Sequence, residues 1–122
     1  MPWASTQVLT GLLRAIVSAG ADTGHGSVTH HLDKTRASFD LRIAPVAKTV
    51  GGARVRMLAY NGSIPGPVLR VRQGSQVVVD IENQGDMETT VHWHGLRLEN
   101  RYDGTHQTQA PIQVGERFSA VV

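Results

Sequence analysis

The sequence predicts an all-β fold, a β-sandwich of about six short strands, for residues 38–122. Thirteen glycines and five prolines among 122 residues supply many turns, and short Val-rich runs lie between them. After residue 38, no segment has the 3.6-residue apolar spacing of an amphipathic helix. With 40% hydrophobic and 18% charged residues, the composition is that of a globular domain that buries a core.

Residues 1–37 differ from the rest and predict a leader or linker. The apolar run Val8–Val17 precedes Ala19-Gly20-Ala21, which resembles the cleavage site of a secretory signal. However, no Lys or Arg precedes the run, and Arg14 interrupts it. The run is also too short to span a membrane as a helix. We expect a signal-like, irregular or partly helical and poorly ordered leader, and no membrane span.

Period-two alternation of apolar residues predicts the strands in chain order. The predicted strands contain Phe39, Leu41 and Ile43; Val55, Met57 and Ala59; Leu69 and Val71; Val77, Val79 and Ile81; the segment 89–94; and the segment 117–122. Pro45 is expected to end the first strand, and Gly51-Gly52 and Asn61-Gly62 to form turns. Residues 100–109 are expected to be a long polar loop. The chain ends in what reads as mid-strand, which predicts a sandwich incomplete at its C-terminus.

The segment His92-Trp93-His94-Gly95 carries the strongest chemical signal in the sequence. Side chains alternate faces along a strand, so the two histidines are predicted to share one face and Trp93 to lie buried on the other. Neighbouring imidazoles form a metal-binding platform, and Gly95 leaves room for close approach. The spacing alone is also compatible with an alternative in which the two histidines are partly exposed on a strand and bind no metal.

Composition excludes several classes of site. The chain has no cysteine, which excludes disulfides, thiolate nucleophiles and a blue-copper centre made by this chain. The formal charge of +2 and the lack of interleaved basic and aromatic residues argue against nucleic-acid binding.

Several further motifs occur in a fixed order along the chain: 60–67 (YNGSIPGP), Gly74, the Val-rich strand to Asn83, 90–96 (TVHWHGL), 102–105 (YDGT) and 108–112 (TQAPI). In this order they resemble the first cupredoxin-like domain of multicopper oxidases, the family that includes laccases. The resemblance covers the chain from about Ser38 onward. It implies a cupredoxin-like Greek-key β-sandwich.

The resemblance also implies copper as the cofactor. In this family two domains hold a three-copper cluster that reduces dioxygen to water, while a reducing substrate is oxidised at a separate type 1 copper. By this resemblance His92 ligates the type 2 copper and His94 one of the paired type 3 coppers. Asp103 matches the family's catalytic acidic residue, which takes part in delivering protons to reduced oxygen.

The same resemblance implies partners for this chain. The resemblance places the family's second histidine pair shortly after the strand that begins near Phe118, beyond the 122 residues, and the remaining four cluster ligands and the type 1 centre in C-terminal cupredoxin domains or a neighbouring subunit. The 122 residues hold two of the family's eight cluster ligands, so the chain alone is expected to be inactive. The family makes a periplasmic or extracellular location reasonable, although the signal-like segment is weak support for it.

Two other classes of function remain open. A cupin-type mononuclear metal enzyme also uses a His-x-His pair with a following glutamate, and Glu99 lies near that position. Glycine spacing around the pair does not fit a cupin, and His106 lies in a polar loop. A non-catalytic β-sandwich module, or an inactive fragment, is the second alternative.

Overall fold

A computed structural model describes residues 36–122 together with three short strands at Gln7–Val8, Ala15–Val17 and His31–Leu32. In this part of the chain the structure is strand and loop, apart from one 3₁₀ turn at Asn100–Tyr102. The all-β prediction is therefore confirmed. The strands are β1 (Gln7–Val8), β2 (Ala15–Val17), β3 (His31–Leu32), β4 (Arg36–Val50), β5 (Ala53–Tyr60), β6 (Leu69–Val71), β7 (Gln76–Asn83), β8 (Thr89–Thr90) and β9 (Arg117–Val121).

The largest sheet is mixed and has β4 and β7 at its centre. Its order is β3-β4-β7-β9, and β5 pairs with β4 beyond the end of the β7 pairing. β4 and β7 are parallel, with Phe39 opposite Val79 and Leu41 opposite Ile81, whereas β9 runs antiparallel to β7. Two small parallel sheets pair β1 with β8 and β2 with β6.

Alternation in β4 and β7 places one face of the sheet in the core. Because the two strands are parallel and in register, their inward residues form adjacent rows. The buried core cluster consists of Ala37, Phe39, Leu41, Ile43, Tyr60, Leu69, Val77, Val79, Ile81, Val91, Trp93, Ile112 and Ala120. Burying each large apolar side chain contributes about 1.5–3 kcal/mol, so these rows are a main source of stability.

The predicted turns are present, but Pro45 does not end its strand. Gly51 and Gly52 have φ of 58° and 82°, and Asn61 and Gly62 have φ of 47° and 75°, so both pairs form left-handed two-residue turns. Pro45 lies inside β4 opposite Leu58. The β7 pairing ends at Ile43, so among the described strands Pro45 has a neighbour on one side only, and its missing N–H costs no ladder bond.

The predicted strand over residues 89–94 is shorter than expected. Only Thr89–Thr90 forms a strand, because the main chain of residues 91–93 pairs with no strand in the described part of the protein. Thr89 is bonded to Ile112 in both directions, N to O at 3.1 Å and O to N at 2.8 Å. Buried Asn83 donates through Nδ2 to the carbonyls of Met87 and Ile112, both at 2.9 Å. These bonds fix the start of the histidine segment.

The predicted leader lies largely outside the described residues. Ala15–Val17 of its apolar run forms strand β2 rather than part of a helix. Among the described residues, no helix has the length and apolar character needed to span a bilayer.

Candidate metal centre

The two histidines predicted to bind metal are brought together in the structure. Val91 and Trp93 are 1% and 4% exposed and belong to the core, so the residues between and after them face the other way. The rings of His92 and His94 have centroids 5.7 Å apart and lie at 68° to each other. Although most of this segment is not a paired strand, its extended alternation still places both imidazoles on one side.

The segment ends directly after the second histidine. His94 and Gly95 form a turn in which the N–H of Leu96 donates to the carbonyl of Trp93 at 3.2 Å. Gly95 has φ of 83° and an added Cβ there would meet no atom within 4 Å. Gly95 is therefore required by the turn conformation, and the space beside it is open.

His92 is oriented by the main chain of Asp103. Nδ1 of His92 lies 2.7 Å from the Asp103 carbonyl oxygen, whereas the Asp103 carboxylate Oδ1 is 3.6 Å away. A carbonyl oxygen only accepts hydrogen bonds, so Nδ1 carries the hydrogen in this contact. Nε2 of His92 is then the ring nitrogen with a free lone pair for a metal ion.

The residues present suit one side of a copper site. Imidazole nitrogen is a ligand type that copper accepts, and a carbonyl on the opposite ring nitrogen is a usual support for a metal-binding histidine. Within the described part of the chain, no group of three or more His, Cys, Asp or Glu side chains converges to hold a metal ion. The pair therefore fits as part of a site that needs further ligands.

Of the other residues considered from the sequence, Asp103 lies beside the pair, whereas His106 and Glu99 make their contacts elsewhere. The Asp103 carboxylate is near His92, and its side chain is 29% exposed. His106 is exposed and its Nε2 contacts the Gln107 amide nitrogen at 2.7 Å, while Glu99 pairs with Arg101 at 2.8 Å. Neither joins the two histidines in a metal-binding group, which removes the structural basis for a cupin-type site.

Sequence reasoning missed the residues that hold Asp103 in place. Asp103-Gly104 has the composition of a turn, and nothing in the pattern shows what the turn contacts. In the structure Gly104 is buried with φ of 72°, and its N–H donates to Oε1 of Gln109 at 3.1 Å. The available signals were the glycine directly after an acidic residue and the family-like segments 102–105 and 108–112, which contain Gly104 and Gln109 but do not show the hydrogen bond between them.

Comparison with known proteins finds similarity of the chain to one family. The family model described as multicopper oxidase matches residues 44–122. The multicopper oxidase MmcO of Mycobacterium tuberculosis is 37% identical over 111 residues, covering 89% of this chain and 20% of that protein. Copper resistance protein A of Pseudomonas syringae pv. tomato is 39% identical over 66 residues, which are 54% of this chain and 11% of that protein.

A solved structure agrees with the sequence comparison. The multi-copper oxidase from Pseudomonas thermotolerans superposes with a TM-score of 0.67 at 39% identity, over 71% of this chain and 22% of that one. The cupredoxin-like fold expected from the resemblance is thereby confirmed. The present chain spans about a fifth or less of the length of these relatives.

Proposed function

Because this chain belongs to the multicopper oxidase family, we propose that His92 and His94 bind copper as part of a three-copper cluster that reduces dioxygen to water. In this proposal His92 is a ligand of the type 2 copper and His94 a ligand of one type 3 copper. The observation that supports it best is the 5.7 Å pairing of the two rings, with Nδ1 of His92 engaged by a carbonyl.

The remaining ligands come from other parts of the protein in this proposal. The described residues bring together two imidazoles, and two nitrogens alone make a weak, open site. C-terminal cupredoxin domains or a neighbouring subunit supply the other cluster histidines and the type 1 centre, at which the reducing substrate is oxidised. Copper, when bound, supplies the one-electron redox steps that the side chains themselves cannot perform.

This chain's own residues orient ligands and handle protons. The Asp103 carbonyl holds His92 so that Nε2 is available, and the Asp103 carboxylate, 3.6 Å from the same ring, takes part in proton delivery to reduced oxygen. Trp93 and Val91 anchor the segment in the core, which limits movement of the two rings.

Substitution of the two histidines in the holoenzyme tests the proposal. We expect His92→Ala and His94→Ala to abolish dioxygen reduction and lower copper content while the blue colour of the type 1 centre remains. His106→Ala is the matched control, because this exposed histidine contacts Gln107 and not the pair. Full turnover and full copper content in His92→Ala would refute the assignment and leave a non-catalytic module as the better description.

A further inference from the structure

The loop after Asp103 contacts the histidine segment backbone to backbone. A Cβ added at Gly104 would lie 2.0 Å from the carbonyl oxygen of Val91, 2.4 Å from its carbonyl carbon and 2.8 Å from the nitrogen of His92. These obstacles are main-chain atoms that cannot rotate away, and Gly104 also has φ of 72°. Only glycine therefore lets the loop approach the histidine segment this closely.

One peptide group joins the two halves of this contact. The Asp103 carbonyl and the Gly104 N–H belong to the same planar peptide, whose oxygen and hydrogen point in opposite directions. The oxygen accepts from His92 Nδ1 at 2.7 Å, and the N–H donates to Gln109 Oε1 at 3.1 Å. Rotation of this peptide would break both hydrogen bonds together.

Gln109 is itself held rigidly. It is 8% exposed, and its main-chain N–H donates to the carbonyl of Thr105 at 2.9 Å. Thr108 also donates to the same carbonyl at 3.0 Å, and its hydroxyl lies 2.7 Å from that of Thr105. The turn over residues 105–109 thus presents the Gln109 amide at a defined place.

We propose that Gly104 and Gln109 are positioning residues that set the tautomer and ring orientation of His92 through the Asp103–Gly104 peptide. The proposal rests on the proposed function, in which Nε2 of His92 faces copper. A hydrogen on Nδ1 leaves the Nε2 lone pair available, whereas the other tautomer blocks it. The buried Gln109 hydrogen bond acts on the peptide and not on the imidazole, so neither residue touches the metal.

The tautomer of His92 in the metal-free full chain tests the proposal without reference to activity. Long-range ¹H–¹⁵N correlation spectra of ¹⁵N-histidine-labelled protein, at about pH 8 where ordinary imidazoles are neutral, report which ring nitrogen carries the hydrogen. The His92 signals are assigned by their loss in His92→Asn. In the wild type we expect the hydrogen on Nδ1.

Two substitutions at Gln109 separate the hydrogen bond from the bulk of the side chain. Gln109→Met keeps the length and removes the acceptor, and we expect the ratio of the Nδ1–H to the Nε2–H form of His92 to fall about tenfold, as for one lost buried hydrogen bond. Gln109→Glu keeps an acceptor oxygen and should restore the wild-type ratio. In Gln109→Glu an oxygen replaces the amide nitrogen Nε2. That nitrogen is buried and makes no hydrogen bond within the described residues, so the substitution removes no hydrogen bond there.

Two glycine variants separate close approach from backbone strain. Gly104→Ala should change the His92 tautomer ratio, whereas Gly74→Ala should not. Gly74 has φ of 83°, similar to Gly104, but an added Cβ there meets nothing within 4 Å. The tautomer of His94 should remain unchanged in the Gln109 and Gly104 variants, because within the described residues the Asp103–Gly104 peptide is hydrogen-bonded to the ring of His92 and not to that of His94.

An unchanged His92 tautomer in Gln109→Met would overturn the positioning proposal. That result leaves the copper assignment standing if His92→Ala still removes copper from the holoenzyme. Conversely, the expected tautomer changes together with normal copper content in His92→Ala would overturn the copper assignment and retain the positioning role.

Discussion

The carbonyl oxygen of Asp103 lies 2.7 Å from Nδ1 of His92, nearer than the carboxylate of the same residue at 3.6 Å. The main chain therefore orients the imidazole, and the side chain is left for a separate task. A metal-binding histidine is commonly oriented by a carboxylate, a main-chain carbonyl or a water molecule. In the proposed function the carbonyl of Asp103 orients His92 and the carboxylate of the same residue handles protons, so the two roles can be tested separately.

Asp103→Asn is expected to leave copper binding almost intact. Removing a group that orients a metal-binding histidine costs about 10- to 100-fold in affinity, but asparagine keeps the main-chain oxygen. We expect a change well below tenfold in the copper affinity of the holoenzyme, measured by competition with a chelator. Dioxygen reduction should slow, because the amide cannot supply the proton. A tenfold or greater loss of copper affinity would show that the carboxylate orients His92.

Substitutions of Trp93 should separate the contribution of its ring to the free energy of unfolding from the contribution of its N–H. Trp93 is 4% exposed and its Nε1 makes no hydrogen bond within the described residues. Trp93→Ala should lower the free energy of unfolding by about 3–5 kcal/mol through the cavity it leaves. Trp93→Phe keeps most of the ring and removes the unpaired donor, so we expect a loss of about 1 kcal/mol or less. Denaturant unfolding measures the free energy of unfolding of both variants. A loss in Trp93→Phe as large as that in Trp93→Ala would mean that Nε1 is hydrogen-bonded in the wild type.

Stability should fall at high pH because of Tyr60. Burial raises the pKa of Tyr60 from 10.0 to about 12. The folded state holds the phenolic hydrogen more tightly than the unfolded state. The contribution of Tyr60 to the free energy of unfolding is therefore complete below pH 10 and is lost as the pH rises to about 12. Two pKa units correspond to about 3 kcal/mol.

The tyrosine prediction is checked by urea unfolding between these two pH values. Tyr60→Phe should remove this part of the decline, because phenylalanine has no group that ionises. Tyr102→Phe removes the chain's other tyrosine hydroxyl and should retain the decline. A Tyr60→Phe curve that declines as steeply as the wild type would contradict the assignment.

Most of the fold could be predicted because it depends on short-range patterns. The alternation at Phe39, Leu41 and Ile43 and the turn residues Asn61-Gly62 act within a few positions of the chain, and the structure retains them. The errors concern pairing. Whether Pro45 fits in a strand, and whether residues 91–94 find a partner, depends on neighbours distant in sequence.

The same division applies to the candidate site. The sequence by itself determined that two imidazoles separated by one residue face the same way, since this follows from the geometry of an extended chain. Only the tertiary structure decided what holds them. Nδ1 of His92 contacts the Asp103 carbonyl, and Gly104 approaches the main chain of Val91, so each contact joins segments about a dozen residues apart and has a main-chain partner. Because every residue has a main-chain carbonyl, the side-chain pattern does not show which peptide will be that partner.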